Sequence, residues 1–386
     1  MMRFVVRPAA LAAALALSSL PLARAGAAEP IPVGAVVSES GPGATLGRPE
    51  ADSMQMAVDE INRSGGIDGR QIALTILDDG SDATTAVNDV RQLLDKHVVA
   101  VLGSSLTQTS LAMVPVVQQA GIPMISFASS AQVIQPVAQR RWIFKMPITD
   151  FHVAQMMQEY MKRHGQTKVA VIYRNDDYGK TGLTHFQSAG ESAGFTVLDA
   201  EAIAATASDA TTQLTHVKAA NPQALVVWTT LPSAAVVIRG YRELGLTTPI
   251  YYSDGAATGV FLNQAGPALD GAYIASTKIN VADALPNSDP QKKILQHYIA
   301  NFVRLYPKDA PVSIFGGFGY DGVYVLADAI RNAKGTEPAA LRSAIERTNY
   351  TGVTGTFRMS PGDHNGLSVF SLVLTRVENG KFTIAR

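Results

Sequence analysis

VVAVLGSSLTQTSLAMVPVVQQAGIPMISFASS, residues 98–130, decides the fold. Val98–Leu102 and Ile122–Ser126 are short apolar runs without polar alternation, and Thr109–Gln119 between them carries a helical period. Two such strands around a helix form a βαβ unit, in which the strands run parallel and both sheet faces are covered. Each strand ends in small hydroxyl residues, Gly103-Ser104-Ser105-Leu106-Thr107 after the first and Phe127-Ala128-Ser129-Ser130 after the second.

The same alternation extends in both directions. Upstream, Val33–Ser38 reads as a strand, Glu50–Arg63 as an amphipathic helix stopped by Gly65-Gly66, Ile72–Leu77 as a strand and Ala83–Lys96 as a helix. Residues 142–149 (WIFKMPIT) read as an extended crossing. The pattern then restarts, with strands at Val169–Tyr173, Thr196–Ala200, Ala224–Thr229 and Ile250–Ser253 and helices near 178–191, 209–219 and 232–244. A second crossing is expected at 271–279, helices near 289–305 and 316–333, and β-type segments near 354–358, 369–377 and 382–385. The fold class is therefore α/β, with two doubly wound parallel-sheet lobes.

At the N-terminus, Arg3 and Arg7 precede an apolar run of twelve residues, 9–20, followed by Pro21 and Ala23-Arg24-Ala25. A membrane span needs roughly 20 apolar residues, so this order reads as a cleaved export signal, with cleavage after Ala25 or Ala28. No cysteine is present, which removes disulfides, thiolate metal sites, a thiol nucleophile and a lipid-anchored mature N-terminus. The expected mature protein is freely soluble in the periplasm. Without Arg3, Arg7 and Arg24 it carries 29 basic and 32 acidic residues, a net charge of −3, which argues against nucleic acid as a partner. About 360 residues exceed one comfortable core, and the 47% hydrophobic content suffices for two.

Ligands of open parallel sheets bind beyond the carboxyl ends of the strands. The two hydroxyl-rich junctions there offer helix amides, a positive dipole end and O–H donors, a cradle for a carboxylate. Ordinary helix capping by Ser and Thr is the competing explanation. In the second lobe the equivalent ends carry Asp176-Asp177-Tyr178-Gly179, Trp228-Thr229-Thr230 and Ser253-Asp254-Gly255. An aromatic ring and a carboxylate suit the amine or hydroxyl end of a ligand, while turn chemistry alone would also explain the aspartates.

Other motifs exclude chemistry. Gly41-Pro42-Gly43-Ala44-Thr45-Leu46-Gly47 has its last glycine one residue late for a dinucleotide loop. Asp78–Asp82 lacks the calcium-loop order, the histidines (His97, His152, His164 and His185 among them) show no metal-ligand spacing, and no G-x-S-x-G elbow occurs. Neither a cofactor, a metal nor catalytic residues are expected.

SESGPGATLG (38–47), AVDEINRSGGIDGRQIALTILDD (57–79), AGIPMISFASS (120–130), DDYGKTG (176–182), the Tyr320-Asp321 pair before a helix and NGKF (379–382) together resemble type I periplasmic binding proteins of the leucine/isoleucine/valine-binding class. The resemblance covers essentially the whole mature chain. It implies two lobes joined by three crossovers, lobe one from 29–148 with 280–355 and lobe two from 149–279 with 356–386, after a signal peptide at 1–28. It also implies a small carboxylate ligand captured by hinge closure, an ABC importer permease as the membrane partner, and a monomer. On this likeness the carboxylate-binding hydroxyl falls on Thr107, the backbone-and-hydroxyl pair on Ala128 and Ser130, the aromatic contact on Tyr178 and the ammonium partner on Asp254, with Ser105, Leu106 and Ser129 beside them. Leu46, Thr229 and Phe318 are expected in the pocket wall. Leu46 stands where a tyrosine is frequent and the family's aromatic near Thr229 is not clearly present, so an aromatic acid is favoured slightly over an aliphatic amino acid. A ligand sensor with a membrane signalling partner is the alternative role.

Overall fold

The computed structural model describes residues 1–2, 29–306 and 312–386; the expected signal sequence and its cleavage sites lie outside the described residues, Met1 and Met2 apart. The first sheet contains β1 (Ile31–Val37), β2 (Ile72–Asp78), β3 (Val101–Gly103), β4 (Met124–Ser126) and β5 (Ile143–Lys145). All are parallel, in the order β2-β1-β3-β4-β5. The helices between them are α1 (Ala44–Arg63), α2 (Ala83–Asp95) and α3 (Thr107–Ala120).

The second sheet repeats that winding. It comprises α4 (Asp150–Arg163), β6 (Lys168–Arg174), α5 (Asp177–Ala193), β7 (Thr196–Ile203), α6 (Thr211–Ala220), β8 (Ala224–Trp228), α7 (Ser233–Glu243), β9 (Ile250–Tyr252), α8 (Gly259–Ala265) and β10 (Tyr273–Thr277). Its parallel strands run β7-β6-β8-β9-β10, the order of the first sheet again. The chain then forms α9 (Lys292–Leu305), α10 (Ile314–Ala333), α11 (Pro338–Ile345) and the hairpin of β11 (Asn349–Thr351) with β12 (Thr356–Arg358). Finally β13 (Leu372–Glu378) and β14 (Lys381–Ile384) extend the second sheet antiparallel beyond β10.

Several expectations shift. Residues 142–149 and 271–279, read as crossings, first form the strands β5 and β10, because each still has an apolar face to bury against its sheet. The reading passed over α4, α8, α11 and β11. Helix α1 begins six residues before the expected start at Glu50 and runs through Pro49. The Tyr320-Asp321 pair lies inside α10 rather than ahead of a helix. There Asp321 accepts the backbone N–H groups of Val353 (2.8 Å) and Thr354 (2.7 Å), and the Tyr320 hydroxyl donates to Glu60 on α1 (2.6 Å). This pair fastens α10 to the first lobe.

Three segments pass between the lobes, after β5, after β10 and before β13. The first and third lie side by side: the Asn365 amide donates to the carbonyls of Lys145 (3.1 Å) and Pro147 (2.9 Å), and the Lys145 N–H donates to the His364 carbonyl (3.1 Å). Among the described residues no helix is long and apolar enough to cross a membrane.

Candidate ligand-binding cleft

In each lobe the strand order reverses at its first strand, between β1 and β3 and between β6 and β8, and such switch points open a crevice beyond the strand ends. The two crevices face each other. Between them lies a small, partly open cavity of about 20 Å³, lined by Leu46, Ser105, Leu106, Thr107, Phe127, Ser129 and Phe315 and by Arg174, Tyr178, Thr230 and Gly255. The lobes touch here: the Ser129 hydroxyl donates to the Asp254 carboxylate at 3.4 Å.

The first-lobe wall carries no side-chain charge. Its geometry starts at Gly103, whose φ of +97° and closeness to β1, where a Cβ would lie 1.9 Å from the Val36 carbonyl, admit only glycine. The chain turns under β1 into α3, whose N-cap is Leu106 and which receives no side-chain cap. The first amides of α3 therefore keep their donors free toward the cavity. The Thr107 hydroxyl, the first of the helix, makes no hydrogen bond among the described residues. Capping thus does not account for this junction. Behind the wall, Ser104, Ser105 and Ser110 hold the turn. Ser104 donates to Asp79 (2.5 Å), Ser110 to the Ser104 carbonyl (2.9 Å), and Ser105 to the buried Glu50, whose carboxyl burial lifts well above the usual range.

At the second junction the two serines diverge. Ser129 lines the cavity, whereas the Ser130 hydroxyl accepts the Gln132 N–H at 3.2 Å and caps the short 3-10 turn Ala131–Val133. The Ala128 N–H donates inward to Ser126 (3.1 Å). Neither Ala128 nor Ser130 is among the cavity-lining residues.

The second-lobe wall is charged. Gly179 brings the start of α5 against the end of β6, where a Cβ would lie 1.9 Å from the Arg174 carbonyl. That approach places Tyr178 in the cavity. The Tyr178 hydroxyl donates to Ser253 (3.0 Å) or Asp254 (3.2 Å) and accepts the Gly255 N–H (3.2 Å). Asp254 is 2% exposed. Burial lifts its carboxyl to about 6, with the Lys145 charge and the Tyr178 hydroxyl holding it from rising further. Lys145 ends β5, is fully buried, and donates to the Ser129 and Ile148 carbonyls. Burial pulls its pKa down to about 8 against the pull of Asp150, Asp254 and Asp363.

Of the expected pocket wall, Leu46 takes its place, whereas Thr229 and Phe318 stand one step behind. The Thr229 hydroxyl bonds Ser233 (2.5 Å) and Thr230 lines the cavity instead; Phe318 packs edge-on against Phe315, which lines it. Trp228 is buried, its ring 6.4 Å from that of Tyr178. The sequence reading missed Arg174, Lys145 and Phe127. For the two cations a signal existed: each is the last residue of its strand, directly after an apolar or aromatic run. Among the described residues no group of three His, Asp or Glu could hold a metal ion.

Two doubly wound lobes enclosing a polar cleft define a bilobed binding protein. The match of residues 30–381 to the family model described as periplasmic binding protein places the chain in that family, which is one of binders rather than enzymes. The chain is 25% identical over 347 residues to Leu/Ile/Val-binding protein homolog 7 of Brucella abortus (strain 2308), covering 86% of this chain and 84% of that protein. Among solved structures it resembles an extracellular ligand-binding receptor from Rhodopseudomonas palustris HaA2, with a TM-score of 0.86 and 28% identity over 92% of this chain and 99% of that one. It also resembles the branched-chain amino acid transporter substrate-binding protein LivJ from Streptococcus pneumoniae in complex with isoleucine, with a TM-score of 0.79 and 25% identity over 92% and 97%.

Proposed function

We propose that the chain is the exported, periplasmic solute-binding component of an ABC importer, and that it captures an α-amino acid by hinge closure. One observation carries the choice of ligand class. A buried carboxylate, Asp254, meets the Ser129 hydroxyl across the cleft, beside the cavity that the uncapped N-terminus of α3 also borders. A carboxylate that titrates near 6 is largely ionised at neutral pH, and a buried anion calls for a cation. The helix amides and Thr107 call for an anion. A ligand with a carboxylate and an ammonium on one carbon meets both, whereas a neutral-tailed aromatic acid would bring Asp254 no cation beyond the nearby Lys145 charge and the hydroxyls of Tyr178 and Ser129. The relatives named for leucine, isoleucine and valine, and the neighbour holding isoleucine, agree with this reading.

In this reading lobe one, residues 29–148 with 280–355, takes the carboxylate. Lobe two, residues 149–279 with 356–386, engages through Tyr178 and Asp254 only on closing, so the ligand stabilises the closed form by contacts that the open form lacks. The closed monomer then docks on a membrane permease.

Native mass spectrometry of protein purified without refolding, followed by calorimetric titration, tests the assignment. Amino acids are expected to co-purify and to rebind. Binding of benzoate-type acids with no amino acid bound would refute it. Small-angle scattering should show a smaller radius of gyration with saturating ligand; an unchanged profile would remove hinge closure.

A further inference from the structure

We propose that Arg174 selects an α-amino acid whose side chain ends in a carbonyl or carboxylate oxygen. The inference rests on the amino-acid reading above and narrows it. Arg174 is 2% exposed and belongs to the cavity wall. Its guanidinium is held from three sides: Nε lies 2.5 Å from Asp176 Oδ2, Nη1 donates to the Thr230 hydroxyl, and the plane lies 5.5 Å from the centre of the Tyr178 ring. The supports are themselves fixed. Asp176 Oδ1 accepts the Gly179 N–H at 3.1 Å as the cap of α5, and the Thr230 hydroxyl donates onward to the Leu231 carbonyl (3.2 Å). A guanidinium has five N–H donors and no acceptor, and these contacts engage only part of that fork. The rest of it is pre-set on the cavity wall.

An α-amino acid has three groups to place. Once the carboxylate meets the α3 amides and the ammonium meets Asp254, the side chain is what remains for Arg174 and for the apolar Leu46, Leu106, Phe127 and Phe315. Against a purely aliphatic side chain the remaining N–H donors of Arg174 would face methyl groups without an acceptor, which is unfavourable. Against a carbonyl or carboxylate oxygen it forms a charge-assisted hydrogen bond, with the apolar residues packing the intervening methylenes. Asp176 already balances the charge, so a neutral carboxamide oxygen satisfies the site as a carboxylate does.

The test is calorimetric titration of the full chain and of Arg174→Met with L-glutamine, L-glutamate and L-norleucine, the last an unbranched hydrocarbon counterpart. Glutamine or glutamate should bind the unaltered protein about 10- to 100-fold more tightly than norleucine, and Arg174→Met should erase or invert that preference. Comparable glutamine and glutamate affinities would identify the carbonyl as sufficient; a strong glutamate advantage would identify the charge, and either supports the proposal. Norleucine binding as tightly as both leaves the amino-acid reading standing and overturns this inference alone; the unaltered protein decides that point even if the variant misfolds. Equal weakening of all three ligands by Arg174→Met also overturns it, because Arg174 would then be holding the α-carboxylate. Binding of none of the three refutes it together with the amino-acid reading.

Discussion

The two lobes have the same strand winding and the same switch point, yet their facing walls use different physics. On the first lobe, Thr107, Ser129 and the open end of α3 present dipoles and hydroxyls, with the nearest carboxylates, Asp79 and Glu50, tied off behind by serines. On the second, Arg174, Asp176 and Asp254 present full charges around Tyr178. One scaffold thus supplies a preorganised dipole surface at one switch point and an ionic surface at the other. A dipole wall stays solvated at little cost in an open cleft. An ionic wall gains most when water is expelled, so under the proposed hinge closure its contribution would be concentrated in the closed state.

The largest expected effect comes from neutralising the ionic wall. In Asp254→Asn a buried ligand ammonium loses its anion, and breaking one partner of a buried pair typically removes about 3–5 kcal/mol, or about two to three and a half orders of magnitude in affinity. Ligand-free stability should move the other way. The folded carboxyl titrates at about 6, above the ordinary aspartate value of 3.8, so ionised Asp254 opposes folding at neutral pH. That penalty fades as pH falls through about 6 and is gone below the unfolded value. Asn keeps an acceptor for Tyr178. Thermal melts without ligand should therefore show Asp254→Asn more stable than the unaltered protein at pH 7.5, with the gap closing toward pH 4. A less stable variant at pH 7.5 would mean that Asp254 is satisfied within the protein and not reserved for a ligand.

Thr107→Ala probes the dipole wall. One charge-assisted hydrogen bond is worth about 1.5–3 kcal/mol, so affinity should fall about 10- to 100-fold. The melting temperature should hardly change, because α3 is not capped by this side chain. Unchanged affinity in calorimetry would take the carboxylate away from the first lobe.

The walls should also separate by pH. Amides and hydroxyls do not titrate between pH 5 and 8, whereas Asp254 does, at about 6. Affinity should be level above pH 7 and weaken below 6, approaching about tenfold per pH unit, because protonated Asp254 must release its proton to pair with an ammonium. The same profile measured on Asp254→Asn should be flat over that range; a persisting slope would assign the titration to another group.

The fold was legible because unbroken apolar strands such as Val33–Val37 and Val169–Ile172 alternate with amphipathic helices. Helix α4 was legible too, since Val153, Ala154, Met157, Tyr160 and Met161 keep the helical spacing, but the crossing read just ahead of it drew the eye past. In the candidate site, strand-end reading pointed to Thr107, Ser129 and Tyr178, which line the cavity, and to Asp254, which contacts Ser129 beside it. It missed Arg174 because it looked beyond the strands rather than at their last residues. A strand that ends in Arg or Lys delivers that charge to the same crevice. It could not choose between Thr229 and Thr230, or between Phe315 and Phe318, because those choices depend on which way each side chain turns in the packed lobe.

The smallest expected effect falls on Ser130, and it sharpens the contrast within a single junction. Ser129 and Ser130 are adjacent and chemically identical, and the family likeness assigns the ligand to Ser130. In the structure its hydroxyl accepts from Gln132 N–H, and the residue is fully buried away from the cavity. Ser130→Ala should therefore lower stability by about 1 kcal/mol, the usual loss for a removed cap, and leave affinity within about threefold. Ser129→Ala removes the hydroxyl that faces Asp254 and the ligand, so it should weaken binding more than Ser130→Ala while changing the melt less. The reverse ranking in paired calorimetry and melting experiments would mean that the Ser130 hydroxyl leaves its cap and turns to the ligand on binding, and the carboxylate cradle would then be assembled by the ligand rather than preformed.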